Sequence, residues 1–249
     1  MSIPSEKLDA VKRTVTSWKD KQTCNKRELQ SLLGHLLYVH KCVRPVRLFL
    51  NRMLDLLRSQ GDNRVIKLTQ AFKRDLRWFD KFLCDYNGVS MYYHRSVDHT
   101  VELDACLEGL GAVWNSHVYH LPIPLHYKNL GIVHLEMVNI LVATKIFGPF
   151  WAHHKVLIKC DNQAVVQVLN NGRTRDPFLA TCARNIWQMA AKFDVELAYQ
   201  HIHGIHNPIA DLLSRWTNDC SDYEKLYAYV ESPIWLNATM DLLEMDCNI

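Results

Sequence analysis

The hydrophobic pattern changes period near residue 95, and that change limits the chain to two differently built parts. Before it, apolar residues recur at helical spacing. Leu8, Val11, Val15 and Trp18 share one face of a helix that Ser5 is placed to cap. Asn25 and Glu28 read as a capping-box variant ahead of Leu29, Leu32, Leu33, Leu36 and Leu37. Pro45 suits the first turn of a third helix, with Val46, Phe49, Leu50, Met53, Leu54 and Leu57 inward. A turn at Ser59-Gln60-Gly61-Asp62-Asn63 precedes a fourth helix, which buries Phe72, Leu76, Phe79, Phe82 and Leu83 and ends near Asn87-Gly88.

After the change, alternation takes over. Val101–Ala105, Gly109–Trp114 and His117–Leu121 read as an antiparallel meander of strands. A helix over His134–Phe147 is stopped by Gly148-Pro149, and a strand over Lys155–Cys160 runs straight into Asp161. Helices over Asn162–Leu169 and Pro177–Lys192, a strand over Val195–Ile202 and a helix from Pro208 to Trp216 complete the order. The expected fold class is therefore α/β: a mixed five-stranded sheet with flanking helices, preceded by a small helical segment. The boundaries this implies are 1–95, 96–216 and an acidic C-terminal tail, 217–249.

Charge follows the same division. Residues 1–100 hold 19 Lys and Arg against 10 Asp and Glu, residues 101–216 hold 9 of each, and the last 33 hold 1 against 7. A basic segment beside a neutral one fits either a grip on a polyanion or a solvated helical surface. The acidic tail, with Tyr223, Tyr227, Tyr229 and Trp235, is a packed helix or a binding segment for a protein partner. The N-terminus lacks the apolar stretch of a secretory signal, and no apolar run reads as the ~20 residues of a membrane span, so no membrane association is expected. Eight cysteines without a CxxC pair argue against a zinc site and fit reduced thiols, hence an intracellular protein of cytoplasm or nucleus.

Four carboxylates stand at or near element ends in the second part. Asp104 lies in the first strand, Glu136 in the first turn of the first helix, Asp161 after the fourth strand, and Asp211 in the last helix. A single acid in such a place is usually a cap; four that a sheet can converge are a candidate centre for Mg2+ or Mn2+, which prefer oxygen ligands. Two such ions roughly 4 Å apart can activate water and stabilise a leaving oxygen on a phosphodiester. No convincing Ser/His/Asp or Cys/His arrangement competes with this reading.

The runs Val101-Glu-Leu-Asp-Ala-Cys-Leu-Glu-Gly-Leu-Gly-Ala-Val, His134-Leu-Glu-Met, Ile158-Lys-Cys-Asp-Asn-Gln-Ala and Gly204-Ile-His-Asn-Pro-Ile-Ala-Asp-Leu-Leu-Ser-Arg resemble the signature blocks of a retrotransposon ribonuclease H domain. The last block is the most specific, and the resemblance spans about residues 97–216. It implies a ribonuclease H-like fold and one catalytic, metal-binding acid per block: Asp104, Glu136, Asp161 and Asp211. It also implies a metal-dependent endonuclease that hydrolyses the RNA strand of RNA·DNA hybrids using two Mg2+ or Mn2+ ions. Upstream, Lys26-Arg-Glu-Leu-Gln-Ser-Leu-Leu-Gly-His-Leu, Arg44-Pro-Val-Arg-Leu-Phe-Leu and Asp75-Leu-Arg-Trp-Phe resemble the thumb and connection segment of such reverse transcriptases, closest to the DIRS-like class. In that family the segment holds the primer–template duplex, which gives the basic charge a role.

The chain has no Asp-Asp dipeptide, so the polymerase signature is missing and no polymerisation is expected. Many ribonucleases H place an assisting histidine before the last acid; His206, in the loop, is the candidate, whereas His201 and His203 share one strand face and read as packing residues. Asn162 either orients the scissile strand or caps its helix, and Arg173 and Arg175 are candidate phosphate contacts. The main rival reading is a catalytically inactive retroelement remnant that serves as a nucleic-acid-binding or protein-interaction module. A fold-related DNA nuclease or integrase is a further alternative.

Overall fold

The computed structural model describes residues 2–40, 42, 46–59, 65–85 and 95–238. The expected turn residues 60–63, Arg44, Pro45 and the Asn87-Gly88 helix end lie outside that set. The chain divides into two compact units, Met1–His94 and Arg95–Ile249.

Among the described residues, the first unit contains four helices: α1 (Ser5–Ser17), α2 (Lys26–His40), α3 (Arg47–Arg58) and α4 (Gln70–Asp85). Helix α1 buries Leu8, Val11 and Val15, with Trp18 buried just past its end. Ser5 does not cap it: Pro4 holds the cap position and no side-chain cap bond forms, because Ser5 is already helical. The capping box does form. Asn25 N donates to Glu28 Oε2 at 2.8 Å and Glu28 N donates to Asn25 Oδ1 at 2.9 Å, satisfying two N–H groups at the start of α2. Leu29, Leu32, Leu33 and Leu36 are buried, whereas Leu37 falls off the stripe and is exposed. Two short strands that the sequence did not reveal, β1 (Thr23–Cys24) and β2 (Ile66–Lys67), pair antiparallel.

The second unit is α/β. Its strands are β3 (His99–Ala105), β4 (Gly109–Trp114), β5 (His117–Pro122), β6 (Lys155–Cys160), β7 (Glu196–His201) and β8 (Ile234–Trp235). Its helices are α5 (Ile132–Phe147), α6 (Gln163–Asn171), α7 (Pro177–Lys192), α8 (Pro208–Ser214) and α9 (Cys220–Tyr229). The sheet order is β7-β6-β3-β4-β5-β8, with the β3–β4–β5 meander antiparallel and β6, β7 and β8 added parallel. The expected five strands become six, because Ile234–Trp235 pairs with β5. Residues 217–238 therefore hold a helix and a strand of this unit, rather than forming a wholly separate tail.

Both faces of the central strands are covered, which is why every residue of β4 is buried. Val101, Leu103, Leu110 and Ala112 pack into the main core with Leu135, Val138, Val142, Val165, Leu179 and Ile186 from α5, α6 and α7. On the other face Val113 and Val118 meet Leu213 of α8 and Leu226 of α9. Helix α6 ends on Gly172 in the left-handed conformation, at φ 61°, where a Cβ would be strained.

Contrary to the expectation, one apolar run does reach membrane length. Ile132–Trp151, that is α5 and the turn after it, is long and apolar enough to cross a membrane by length and composition. It is mostly buried in the unit's core instead, because both faces of α5 are covered by the sheet and α7.

Candidate active site

Strand register decides where the acids meet. Strands β3, β6 and β7 run parallel, with Leu103 opposite Cys160 and Cys160 opposite His201, so all three end at one edge of the sheet. Asp104 sits at the end of β3 and Asp161 immediately follows β6. Asp104 pairs across the ladder with Gly111 and so shares the face on which α8 lies. Glu136 arrives from the first turns of α5, on the opposite face, and its Oε1 accepts from Ala105 N at 3.0 Å. The acids thus converge over the sheet edge from both sides.

The four are not equivalent. Glu136, Cys160 and Asp161 place ligand atoms within 4.8 Å of one another. Asp104 is tied to them through charge, acting on Glu136 and being acted on by Asp161 and Asp211. Asp211 is half-exposed and its Oδ1 accepts from Arg215 Nε at 2.9 Å, so it stands at the rim of the group. Burial raises the pKa of Asp104 to about 6, with Asp161 and Asp211 adding to the rise and a hydrogen bond from Ser214 opposing it. Burial pushes Glu136 well above the usual carboxylate range, and Asp104 and Asp161 push it further.

Such a group could hold a cation. Three carboxylates crowd a poorly solvated space, and the charges that act on Glu136 are themselves negative. The oxygen donor set suits a hard divalent ion such as Mg2+ or Mn2+. Cys160 is a poor ligand here: burial and Glu136 raise its pKa, so the neutral thiol donates to Glu136 Oε2 at 3.6 Å.

Residues that sequence reasoning passed over hold the acids in place. Asn139, fully buried, donates to Asp104 O at 2.7 Å and Gly111 O at 2.9 Å, and accepts from Tyr119 Oη at 2.7 Å. Asn207 donates to Leu103 O at 2.8 Å, fastening the start of α8 to β3. Ser214 donates to Asp104 Oδ2 at 2.6 Å. Asn207 and Ser214 lie in the terminal signature run, which was the available signal; Asn139 had none beyond its place on an otherwise apolar helix.

His206 ends an exposed turn, Gly204–His206, on the same sheet edge, and a Cβ on Gly204 would lie 3.4 Å from Asp161 Oδ2. His201 Nε2 lies 3.0 Å from Asp161 O, and its ring meets that of His203 edge-on. Asn162 caps α6, its side chain accepting from Val165 N at 3.3 Å. Arg173 and Arg175 are exposed in the loop before α7, where His134 Nε2 lies 2.9 Å from the helix-capping Asp176.

A family model described as reverse transcriptase-like matches residues 150–217, which include Asp161 and Asp211. No curated protein matches the chain. Among solved structures, RNase H1 from the archaeon Halobacterium salinarum aligns at 18% identity and a TM-score of 0.39, covering 46% of this chain and 92% of its own. The N-terminal RNase H domain of a Mycobacterium tuberculosis protein aligns at 17% identity and 0.40, covering 52% and 99%. A foamy viral protease-reverse transcriptase in complex with RNA/DNA hybrid aligns at 12% identity and 0.29, covering 80% and 27%. The second unit is an α/β domain, a mixed sheet with flanking helices, whose residues 150–217 match a reverse transcriptase-like family model.

Proposed function

We propose that the second unit is a metal-dependent endonuclease that hydrolyses the RNA strand of RNA·DNA hybrids. The observation that carries this is the grouping of Glu136 and Asp161 at one sheet edge, with Asp104 close enough to act on Glu136 by charge and Asp211 at the rim. In this reading the four acids hold two divalent ions. When bound, such ions polarise a water and neutralise charge on the phosphodiester. Glu136 and Asp104 would hold the ions from the buried side and supply negative charge from within the protein. Asp161 and Asp211 face the solvent side, where the scissile phosphate enters. His206, exposed on the adjoining turn, is the candidate to assist product release. Arg173 and Arg175 contact phosphates of the duplex away from the cut. The 2′-hydroxyls and groove shape distinguish a hybrid from duplex DNA.

The first unit, with its basic excess, is read as the part that grips the duplex. The match to a reverse transcriptase-like model supports a retroelement polymerase origin, with DIRS-like elements as the class the motifs resemble. Free cysteines, seven among the described residues, fit an intracellular setting.

The test uses the full chain with labelled hybrid, Mg2+ or Mn2+, and an Asp161→Asn variant. Metal-dependent cleavage of RNA that the variant loses supports the proposal. Salt-sensitive hybrid binding without cleavage supports the inactive remnant, and cleavage of duplex DNA supports a DNA nuclease.

A further inference from the structure

Ser214 is a buried polar residue of the second unit that touches one of the acids directly. It is fully buried at the end of α8, 110 residues along the chain from the carboxylate it touches. Its Oγ lies 2.6 Å from Asp104 Oδ2 and 2.9 Å from Asp211 O. A hydroxyl has one proton, and the shorter contact to a carboxylate is the stronger, charge-assisted one.

What brings Ser214 there is the strand opposite. A Cβ on Gly111 would lie 2.3 Å from Ser214 N, and one on Gly109 would lie 2.6 Å from Ser214 O. Two glycines facing α8 therefore let the helix backbone rest directly on β4. Cys106 Sγ donates to Ser214 O at 3.1 Å and His120 Nδ1 lies 2.7 Å from Leu213 O, so the helix end is held from both sides. Gly111 is also the cross-strand partner of Asp104, which puts the serine and the aspartate on one face at one register position.

We propose that Ser214 is a positioning residue for the metal centre: its hydrogen bond to Asp104 Oδ2 fixes the orientation of that carboxylate. The proposal rests on the cation-binding reading of the acids given above. Without the hydroxyl, Asp104 gains rotameric freedom and a buried oxygen loses its donor. Outer partners of ligating carboxylates matter to affinity for this reason.

The experiment is Mn2+ binding to the full chain, followed by electron paramagnetic resonance, with thermal unfolding measured alongside. Ser214→Ala is expected to weaken Mn2+ binding by about 10- to 100-fold. Ser214→Thr, which keeps the hydroxyl, restores most of that loss. Leu213→Ala, which truncates the neighbouring buried side chain, lowers the unfolding temperature yet leaves Mn2+ affinity near the parent's. Should Ser214→Ala fail to fold, Ser214→Cys keeps a side-chain donor, though a weaker one, and is expected to bind Mn2+ less tightly than the parent. The proposal is overturned if Ser214→Ala, or Ser214→Cys in its place, binds Mn2+ like the parent. It is also overturned if affinity follows stability across the set, so that Leu213→Ala weakens binding equally. Asp104→Asn separates the two layers. Loss of Mn2+ in Asp104→Asn with parent-like Ser214→Ala removes only the role of Ser214. A parent that binds no Mn2+ removes the cation site itself and this proposal with it.

Discussion

Replacing Gly111 by alanine adds one methyl group at the point where α8 meets the sheet. That Cβ would lie 2.3 Å from Ser214 N, 2.6 Å from Ala210 O and 2.6 Å from Leu213 C, all backbone atoms. Ordinary contact begins near 3.5 Å, so the helix must retreat by about 1 Å. Overpacking of this kind costs about 1–3 kcal/mol, and the ~0.5–1 kcal/mol that alanine gains in backbone entropy offsets only part of it. At roughly 2–4 °C per kcal/mol for a unit of this size, the second unit should unfold up to ~10 °C lower. The same displacement breaks the 2.6 Å contact from Ser214 to Asp104, so hybrid cleavage should fall by about 100-fold. Thermal unfolding by circular dichroism and single-turnover cleavage measure the two effects. Gly34→Ala is the matched control: it lies inside α2 with nothing within 4 Å of its Cβ position, so it should stabilise the first unit by about 0.5–1 kcal/mol. A Gly111→Ala protein as stable and as active as the parent would refute the direct seating of α8 on β4.

Other expectations follow from the same structure. Asn139→Ala leaves Asp104 O and Gly111 O without their buried donor and should destabilise the second unit by about 2–4 kcal/mol, read by urea denaturation. Arg215→Ala removes an exposed pair with Asp211 and should change stability by less than about 1 kcal/mol in the same assay. The pH dependence has a definite sign. Asp104 and Glu136 have folded pKa values above their unfolded ones, so their contribution to stability is full below about pH 4 and is lost as pH rises through about 6 and beyond. Metal-free protein should therefore lose stability over that rise, and Mn2+ should restore it most at the upper end; a flat profile with chelator, or no effect of Mn2+, counts against the crowded acids. His206→Ala should slow steady-state turnover while leaving Mn2+ affinity unchanged, and an unchanged turnover would remove its assisting role.

How much of this was legible in the sequence depends on the range of each interaction. Local signals were read correctly where one element carries them, as with the Asn25–Glu28 box and the stop at Gly148-Pro149. The order of strands and helices from β3 to α8 was legible because period 2 and period 3.6 alternate cleanly there. The two-residue strands β1, β2 and β8 were not, since two residues have no period; their pairing is set by partners about 40 to more than 100 residues away. Ser5 lost the cap because the chain enters the helix one residue earlier, at Pro4. The acids were legible as residues at element ends, but their inequality was not. That Asp211 pairs with Arg215 at the rim, while Glu136 is buried against two other carboxylates, follows from register and from which face each helix covers. Ser214 and Asn139 act across 110 and 35 residues, so no local pattern marks them as supports of Asp104.

The most direct test of the carboxylate centre is the chemistry of the cut. A hybrid whose RNA strand carries an internal label should be incubated with Mg2+ and the full chain, beside Asp104→Asn, Glu136→Gln, Asp161→Asn and Asp211→Asn. Hydrolysis by metal-activated water predicts RNA fragments ending in a free hydroxyl and a phosphate monoester, an intact DNA strand, and loss of cutting in Asp104→Asn, Glu136→Gln and Asp161→Asn, with the rim variant Asp211→Asn least affected. Fragments ending in a 2′,3′-cyclic phosphate, or cutting that survives chelation and those three substitutions, would contradict it.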